Sequence, residues 1–333
     1  MLEQEWNPGL LLKVSGSYWQ TCALHTSVKL DLFTIIGKAT LSGKAIAEKA
    51  GLDEMALARL LDALAAMQLL VKEDGHYKNT SAAVKFLSKK SKSYIGHMIN
   101  HHHHLMDSWT RMAESLKTGQ PNRRRASYSE EEERESFLMG MFVIGMHTAP
   151  TLAGEIDLSG RRTLIDIGGG PGTFAIHFCL KNPELKATVY DLPTTRPFAE
   201  KTIKKFGLAD RINFLDGNYV EEDIEGAYDA AWLSHILHGE GPETCLEILK
   251  KTVSVLVPGG IICIHDFILH DTMDGPLFPT LFSINMLLGT ESGRSYSETQ
   301  LMDMLEKAGV KEARRLSYVG PTESGVIVGQ TKS

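Results

Sequence analysis

The feature that most constrains this chain is the run Leu164-Ile165-Asp166-Ile167-Gly168-Gly169-Gly170-Pro171-Gly172. An apolar stretch of strand length breaks directly into glycines, and a helical pattern over 174–181 follows. Strand, glycine turn and helix make the first crossover of a parallel sheet, where missing side chains let the backbone approach a ligand closely. Glycine spacing separates the ligands such a turn can take. The dinucleotide fingerprint G-x-G-x-x-G opens its helix against a pyrophosphate. Here the glycines fall at 168, 170 and 172, Thr173 stands at the third expected position, and Pro171 removes an amide that could donate to phosphate. A cofactor without phosphate fits this turn better than NAD. Asp191, closing the next strand, is placed to accept from ribose hydroxyls, a role both cofactor classes share.

The same alternation continues downstream. Apolar runs at 163–167, 187–190, 212–215, 228–233 and 261–265 read as strands, and 174–181, 198–206 and 244–256 read as helices between them. The turn Pro258-Gly259-Gly260 is expected to end the last of these helices and start a strand. A helix over 298–308 and strands over 315–318 and 325–329 complete the pattern. The expectation is an α/β fold, a Rossmann-like doubly wound sheet spanning 159–333.

Residues 1–158 read differently. Ile46, Leu57, Leu60, Leu61, Leu64 and Leu69 recur at helical steps, and a short hairpin follows, 70–72 and 77–79 around Glu73-Asp74-Gly75-His76. Helix, turn, helix and hairpin in that order suggest a winged helix. DNA binding is the ordinary use of that motif. The candidate recognition helix, 53–67, carries Asp53, Glu54 and Asp62 against Arg59 and is otherwise rich in Ala, Leu and Met. An acidic, apolar surface repels phosphate and needs a protein surface to cover it. Further helices are expected over 93–116 and from a Ser129-x-x-Glu132 capping box to about Pro150.

Composition narrows the classes. A formal net charge of −6 argues against a nucleic-acid partner. No run approaches the roughly 18–20 apolar residues of a bilayer span, and Met1-Leu2-Glu3-Gln4-Glu5-Trp6 lacks the form of a signal peptide. The expectation is a cytoplasmic protein without a membrane partner. Cys22, Cys179, Cys245 and Cys263 are widely spaced and read as buried free thiols.

Taken together, Asp166-Ile-Gly-Gly-Gly-Pro-Gly172, Asp191-Leu-Pro193, Gly217-Asn-Tyr219, Leu233-Ser-His-Ile-Leu-His238 and Pro258-Gly-Gly260 resemble the class I S-adenosylmethionine-dependent O-methyltransferase family. That family includes plant caffeate, acetylserotonin and bacterial polyketide-tailoring enzymes with an N-terminal winged-helix dimerisation domain. The resemblance covers nearly the whole chain. It implies a homodimer that moves a methyl group from S-adenosylmethionine to a small acceptor, most simply a hydroxyl on an aromatic ring. Relatives that methylate nitrogen or carbon keep those two reactions open. An NAD-dependent oxidoreductase and a cofactor-sensing regulator are the rival classes. The glycine spacing speaks against the first and the acidic helix against the second.

Carried over by position, the cofactor contacts fall on Gly168, Gly170, Asp191, Leu192, Gly217, Asn218, Tyr219 and Ser234. Asn218 and Tyr219 would flank the adenine, and Ser234 the methionine part. The general base would be His238, the family's His before Asp-Trp, with Asp266 as its acidic neighbour. Two departures stand out: Gly239 replaces the usual Asp, and Ser295 a second acid. Asn285, Met286, Trp109 and Met141 are the expected acceptor contacts, in a pocket with Met and Phe walls suited to aromatic rings. Of His101-His102-His103-His104, one or two residues would face that pocket and the rest solvent. No metal site is expected, although His235, His238, His265, Asp266 and His270 could in principle form one.

Overall fold

The computed structural model describes residues 5–332, so Met1–Gln4 of the N-terminal stretch read above lie outside it. The chain forms two compact units, Met1–Leu105 and Met106–Ser333. The division between these two compact units falls inside the helix Gly96–Thr110.

In the first unit the helices start where short polar side chains cap them. Ser42, Asp53 and Thr80 each accept from a backbone amide in the first turn of Gly43–Ala50, Glu54–Ala66 and Ser81–Phe86. The helix expected over 53–67 buries Leu57, Leu61 and Leu64 against Phe33, Ile36 and Ile46. Each such side chain contributes roughly 1.5–3 kcal/mol on full burial. Strands β1 (Leu41–Ser42), β2 (Leu70–Glu73) and β3 (His76–Asn79) form a small antiparallel sheet in the order β1-β3-β2. The hairpin β2–β3 lies where it was expected. Asp62 is held by Lys72 at 2.5 Å and by the Tyr77 hydroxyl at 2.6 Å, which ties the helix to the hairpin. Helix Pro8–Gly16 buries none of its residues and exposes Leu11, Leu12 and Val14.

The second unit is built on seven strands: β4 (Thr163–Ile167), β5 (Lys186–Asp191), β6 (Ile212–Asp216), β7 (Tyr228–Ser234), β8 (Leu256–Phe267), β9 (Val310–Arg315) and β10 (Ser324–Thr331). Their order is β6-β5-β4-β7-β8-β10-β9, parallel from β6 to β8, with β10 antiparallel to both of its neighbours. Chain direction across the sheet reverses between β4 and β7, the switch point where such sheets open a crevice at their carboxyl edge. The strands are apolar on both faces. Two buried clusters cover them, one centred on Ile165, Leu233 and Ile264 and the other on Leu164, Val189 and Trp232.

Three local readings are corrected. Pro258-Gly259-Gly260 does not terminate a helix, since Pro242–Ser254 ends earlier and the three residues lie within β8, where pairing with β7 slips between Tyr228 and Ala230. The strand expected over 315–318 is β9, which ends at Arg315. The capping box at Ser129 does not form. Helix Glu131–Glu155 has Glu130 as its N-cap without a side-chain bond, and the Ser129 hydroxyl faces the Arg125 carbonyl at 3.4 Å. That helix also runs through Pro150. It is long and apolar enough by composition to cross a membrane, but it buries Leu138, Phe142, Ala149 and Leu152 within the protein.

Candidate active site

The glycine turn after β4 and the motifs ending at Asp191, Tyr219 and His238 come to the carboxyl edge of the parallel strands, whereas Pro258-Gly259-Gly260 lies near the amino end of β8. At the end of β4 the chain turns through Gly168 (φ 63°) and Gly170 (φ 53°) before Gly172 caps helix Thr173–Lys181. These left-handed values favour glycine. Space matters as well as torsion. A Cβ on Gly168 would lie 2.5 Å from Ile236 Cγ2 and 3.2 Å from Tyr219 Cε1, whereas one on Gly170 would meet nothing within 4 Å. One glycine is therefore pressed from above, and the other faces open space.

Asp191 closes β5 beside this turn. Its Oδ2 accepts from the Gly170 amide at 2.8 Å, and its Oδ1 from the Leu192 amide at 2.7 Å and the Thr195 hydroxyl at 3.1 Å. Burial raises its pKa and these donors pull it back. Each carboxylate oxygen has more lone-pair capacity than the protein uses, above all Oδ2. After β6, Gly217 sits where a Cβ would strike the Tyr190 ring at 2.3 Å. Asn218 turns its Oδ1 back to the Val220 amide at 3.0 Å, which shapes the loop and leaves its NH2 group free of that bond. Tyr219 is partly buried, and desolvation pushes its phenol up to about 12. Asp166, beneath the turn, is fully buried with Oδ1 unpartnered, and burial pushes it up to about 8, which favours its protonated form.

At the end of β7, Ser234 Oγ lies 2.9 Å from His265 Nδ1, whose other nitrogen lies 3.0 Å from Ser324 Oγ. The parallel register sets Ser234 opposite His265. His235 follows with φ 57°, an uncommon torsion for a non-glycine residue and one that marks a constrained turn. His238 then stands in a short 3-10 turn, 8% exposed. Its Nδ1 lies 2.6 Å from Asp266 Oδ1, which also accepts from the Phe267 amide at 2.8 Å. Burial alone would raise the Asp266 carboxyl, but the His238 and His235 imidazoles beside it and the His238 hydrogen bond hold it far below the usual carboxylate range. Burial lowers the pKa values of His235 and His265 and so disfavours their charged forms.

Aromatic rings enclose His238. Phe267 stacks on it at 5.9 Å between centroids and Phe282 meets it edge-on at 4.7 Å, while Phe278 packs on Phe267 at 4.9 Å. Phe282 belongs to helix Leu277–Gly289, which also carries Asn285 and Met286, both 8% exposed. Asn285 Oδ1 accepts from Trp109 Nε1 at 3.2 Å and from Arg123 at 3.1 Å. The structure thus brings Trp109 and Asn285 together. Met141 lies half-buried on helix Glu131–Glu155, and among the described residues no hydrogen bond ties it to them. Ser295, in the place of an acid, donates to the Pro279 carbonyl at 2.8 Å, which leaves Asp266 as the acid bonded to His238.

Ligand atoms of His235, His238 and Asp266 lie within 4.8 Å of one another, near enough for a metal ion. His238 Nδ1 and Asp266 Oδ1 are bonded to each other, so an ion that used those two atoms would have to break that bond. Of the histidine run, His102 and His103 are disfavoured as cations by burial, and His103 meets His25 edge-on at 5.8 Å within the first unit. Sequence reasoning missed Phe267 and Ser324 as parts of this region, and also Arg123 and Arg125. The arginines sit on a loop whose only sequence signal was a charge run.

A model of the O-methyltransferase domain matches residues 116–311, and one of the O-methyltransferase dimerisation domain matches 12–89. The chain is 31% identical over 328 residues to a 3-hydroxy-5-methyl-1-naphthoate 3-O-methyltransferase of Streptomyces sahachiroi, covering 97% of this chain and 95% of that one. An O-methyltransferase family structure from Burkholderia thailandensis superposes with a TM-score of 0.90 at 27% identity, over 99% of both chains. A structure of PigF with SAH does so with a TM-score of 0.90 at 25% identity, over 98% of this chain and 100% of that one. The residues fit S-adenosylmethionine: a glycine turn open at Gly170, a buried carboxylate with acceptor capacity, and no amide at Pro171 to bind a phosphate. With the matching domain spanning most of the chain, this protein belongs to the O-methyltransferase family and is an S-adenosylmethionine-dependent methyltransferase.

Proposed function

We propose that the enzyme methylates a hydroxyl on an aromatic or heteroaromatic small molecule, with His238 as general base. The observation that carries this reading is the 2.6 Å contact between His238 Nδ1 and Asp266 inside a ring of phenylalanines. The carboxylate keeps the Nδ1 proton, so the lone pair lies on Nε2, the nitrogen left for the acceptor. A phenol has a pKa near 10 and is mostly protonated at neutral pH. An imidazole in reach takes its proton as the oxygen attacks. Phe267, Phe278 and Phe282 give an aromatic acceptor edge and face contacts and keep water from the imidazole.

Bound S-adenosylmethionine supplies a methyl group on a sulfonium, and transfer discharges the cation. Asp191 would hold the ribose hydroxyls, the turn Gly168–Gly170 and Leu192 would leave room for the cofactor, Gly217, Asn218 and Tyr219 would take the adenine, and Ser234 would stand on the methionine side. Trp109, Asn285, Met286 and Met141 line the acceptor side. The naphthoate enzyme among the relatives carries a hydroxylated aromatic acceptor in its name, which favours the same class here. The first unit serves as a winged-helix dimerisation module, with exposed Leu11, Leu12 and Trp19 toward a second copy in a homodimer. The enzyme works in the cytoplasm, with neither nucleic acid nor membrane as a partner.

The test is a panel of hydroxylated aromatics incubated with methyl-labelled S-adenosylmethionine, with products placed by NMR. Label in an aryl methyl ether supports the reading. Label on nitrogen or carbon alone contradicts it.

A further inference from the structure

Arg125 reaches into the site from the loop ahead of the 3-10 turn Ala126–Tyr128. Its Nη1 pairs with Glu240 Oε1, and its Nη2 lies 3.3 Å from the Tyr219 hydroxyl. Both partners of the ion pair are mostly covered, with side chains 30% and 14% exposed. The seat exists because of Gly239. A Cβ there would lie 2.3 Å from Arg125 Nη2 and 3.0 Å from its Cζ. Tyr219, the residue the guanidinium holds, is the ring that presses on Gly168 from above.

We infer that Arg125, lodged in the space Gly239 leaves open, is a positioning residue of the cofactor site that braces Tyr219 against Glu240. The inference rests on the cofactor reading above and extends it to a residue that no motif marks. It also gives a physical account of the departure at 239–240. The glycine makes the seat, the glutamate supplies the countercharge, and the arginine fills the space. A planar guanidinium presents its donors in a rigid fork that spans two partners, a span that the compact lysine ammonium matches poorly. Burying the pair is tolerable only while both charges are present; losing one leaves the other uncompensated. The Glu240 end is itself fixed, since its carbonyl accepts from the Tyr296 hydroxyl at 2.5 Å. The chain from Tyr296 to Tyr219 is therefore continuous, and Arg125 is its middle link.

The test is S-adenosylhomocysteine binding by calorimetry, with thermal unfolding alongside, for wild type, Arg125→Ala, Arg125→Lys, Gly239→Ala and the double variant Gly239→Ala/Arg125→Ala. Arg125→Ala should weaken binding roughly 10- to 100-fold, the effect of one or two lost charge-assisted hydrogen bonds. Arg125→Lys should recover only part of it. Gly239→Ala keeps the backbone torsion accessible but evicts the guanidinium, so it should weaken binding in the same direction. In the Arg125→Ala background it should cost nothing further, and this coupling is what a merely structural role would not produce. Should Arg125→Ala fail to fold, Arg125→Lys replaces it in the cycle. Wild-type affinity in Gly239→Ala, or equal loss with and without Arg125, overturns the inference. If wild type itself fails to bind, the cofactor reading falls; if Asp191→Ala weakens binding while the Arg125 variants do not, this inference falls alone.

Discussion

Asp266→Asn is the most informative single change, because it keeps shape while removing charge. The carboxylate is buried at 3% exposure and makes two defined contacts, to His238 Nδ1 at 2.6 Å and to the Phe267 amide at 2.8 Å. An asparagine can keep the second with its carbonyl oxygen. Toward His238 it has two choices, and both are worse. With the carbonyl oxygen the tautomer survives, but the hydrogen bond is no longer charge-assisted. With the amide group the nitrogen donates to Nδ1, which moves the imidazole proton to Nε2 and removes the base. Losing a hydrogen bond to a charged group costs about 1.5–3 kcal/mol. If that loss is felt as the imidazole becomes cationic in the transition state, kcat falls roughly 10- to 150-fold. Cofactor affinity should change by less than about twofold, since no cofactor contact is touched, a change of under roughly 0.5 kcal/mol. The assay is kcat under saturating acceptor and cofactor, beside calorimetric binding of S-adenosylhomocysteine. A variant within twofold of wild-type kcat would refute the claim that Asp266 sets the state of His238. Equal losses in binding and turnover would show that the change disturbed the fold instead.

Further outcomes follow from other parts of the molecule. Asp191→Ala should weaken S-adenosylhomocysteine binding by roughly 1.5–3 kcal/mol, and unchanged calorimetric affinity would remove Asp191 from the site. Burial and the neighbouring His102 and His103 lower His25 to about 4 from 6.5. The unfolded chain therefore binds the proton first as pH falls, so stability is intact above about pH 6.5 and is lost between there and about 4. Denaturant titrations over that window should show a shallower loss for His25→Leu, and parallel curves would contradict it. The dimerisation unit should bury above roughly 2,000 Å² between two copies, as obligate dimers do, and a monomer at micromolar concentration by light scattering would refute this.

How much was legible depended on whether the deciding force was local. Strand β4 was read to its ends because a proline–glycine turn stops it and an apolar run defines it. The Pro258-Gly259-Gly260 turn misled for the complementary reason. Its torsional signal is strong, but pairing across to β7 carries the strand through it as an irregularity. Helix Glu131–Glu155 resembles its predecessors in pattern, yet it packs on helix Thr173–Lys181, where a Cβ on Gly145 would lie 3.0 Å from Thr173, a contact that helical periodicity does not reveal. In the site, His238 and Asp266 were found through motif positions, and β7–β8 adjacency then explains why residues so far apart in sequence touch. Phe267 follows Asp266 directly at the same strand end, so its neighbour's motif was an available signal. Arg125 had none. Its meaning depends on the hole at Gly239, and a hole is not visible in a sequence.

The central claim, that His238 takes the proton from an acceptor hydroxyl, is tested most directly by the single-turnover rate of methyl transfer as a function of pH. Wild type and His238→Ala are compared on the same hydroxylated aromatic. Base catalysis requires that the wild-type rate fall on the acid side as the imidazole is protonated. It also requires that this limb vanish in the variant, with a loss on the order of 10²–10⁴-fold at neutral pH. A variant that keeps near wild-type rate across the range, with the same pH profile, would show that positioning alone carries the reaction and that His238 is not the base.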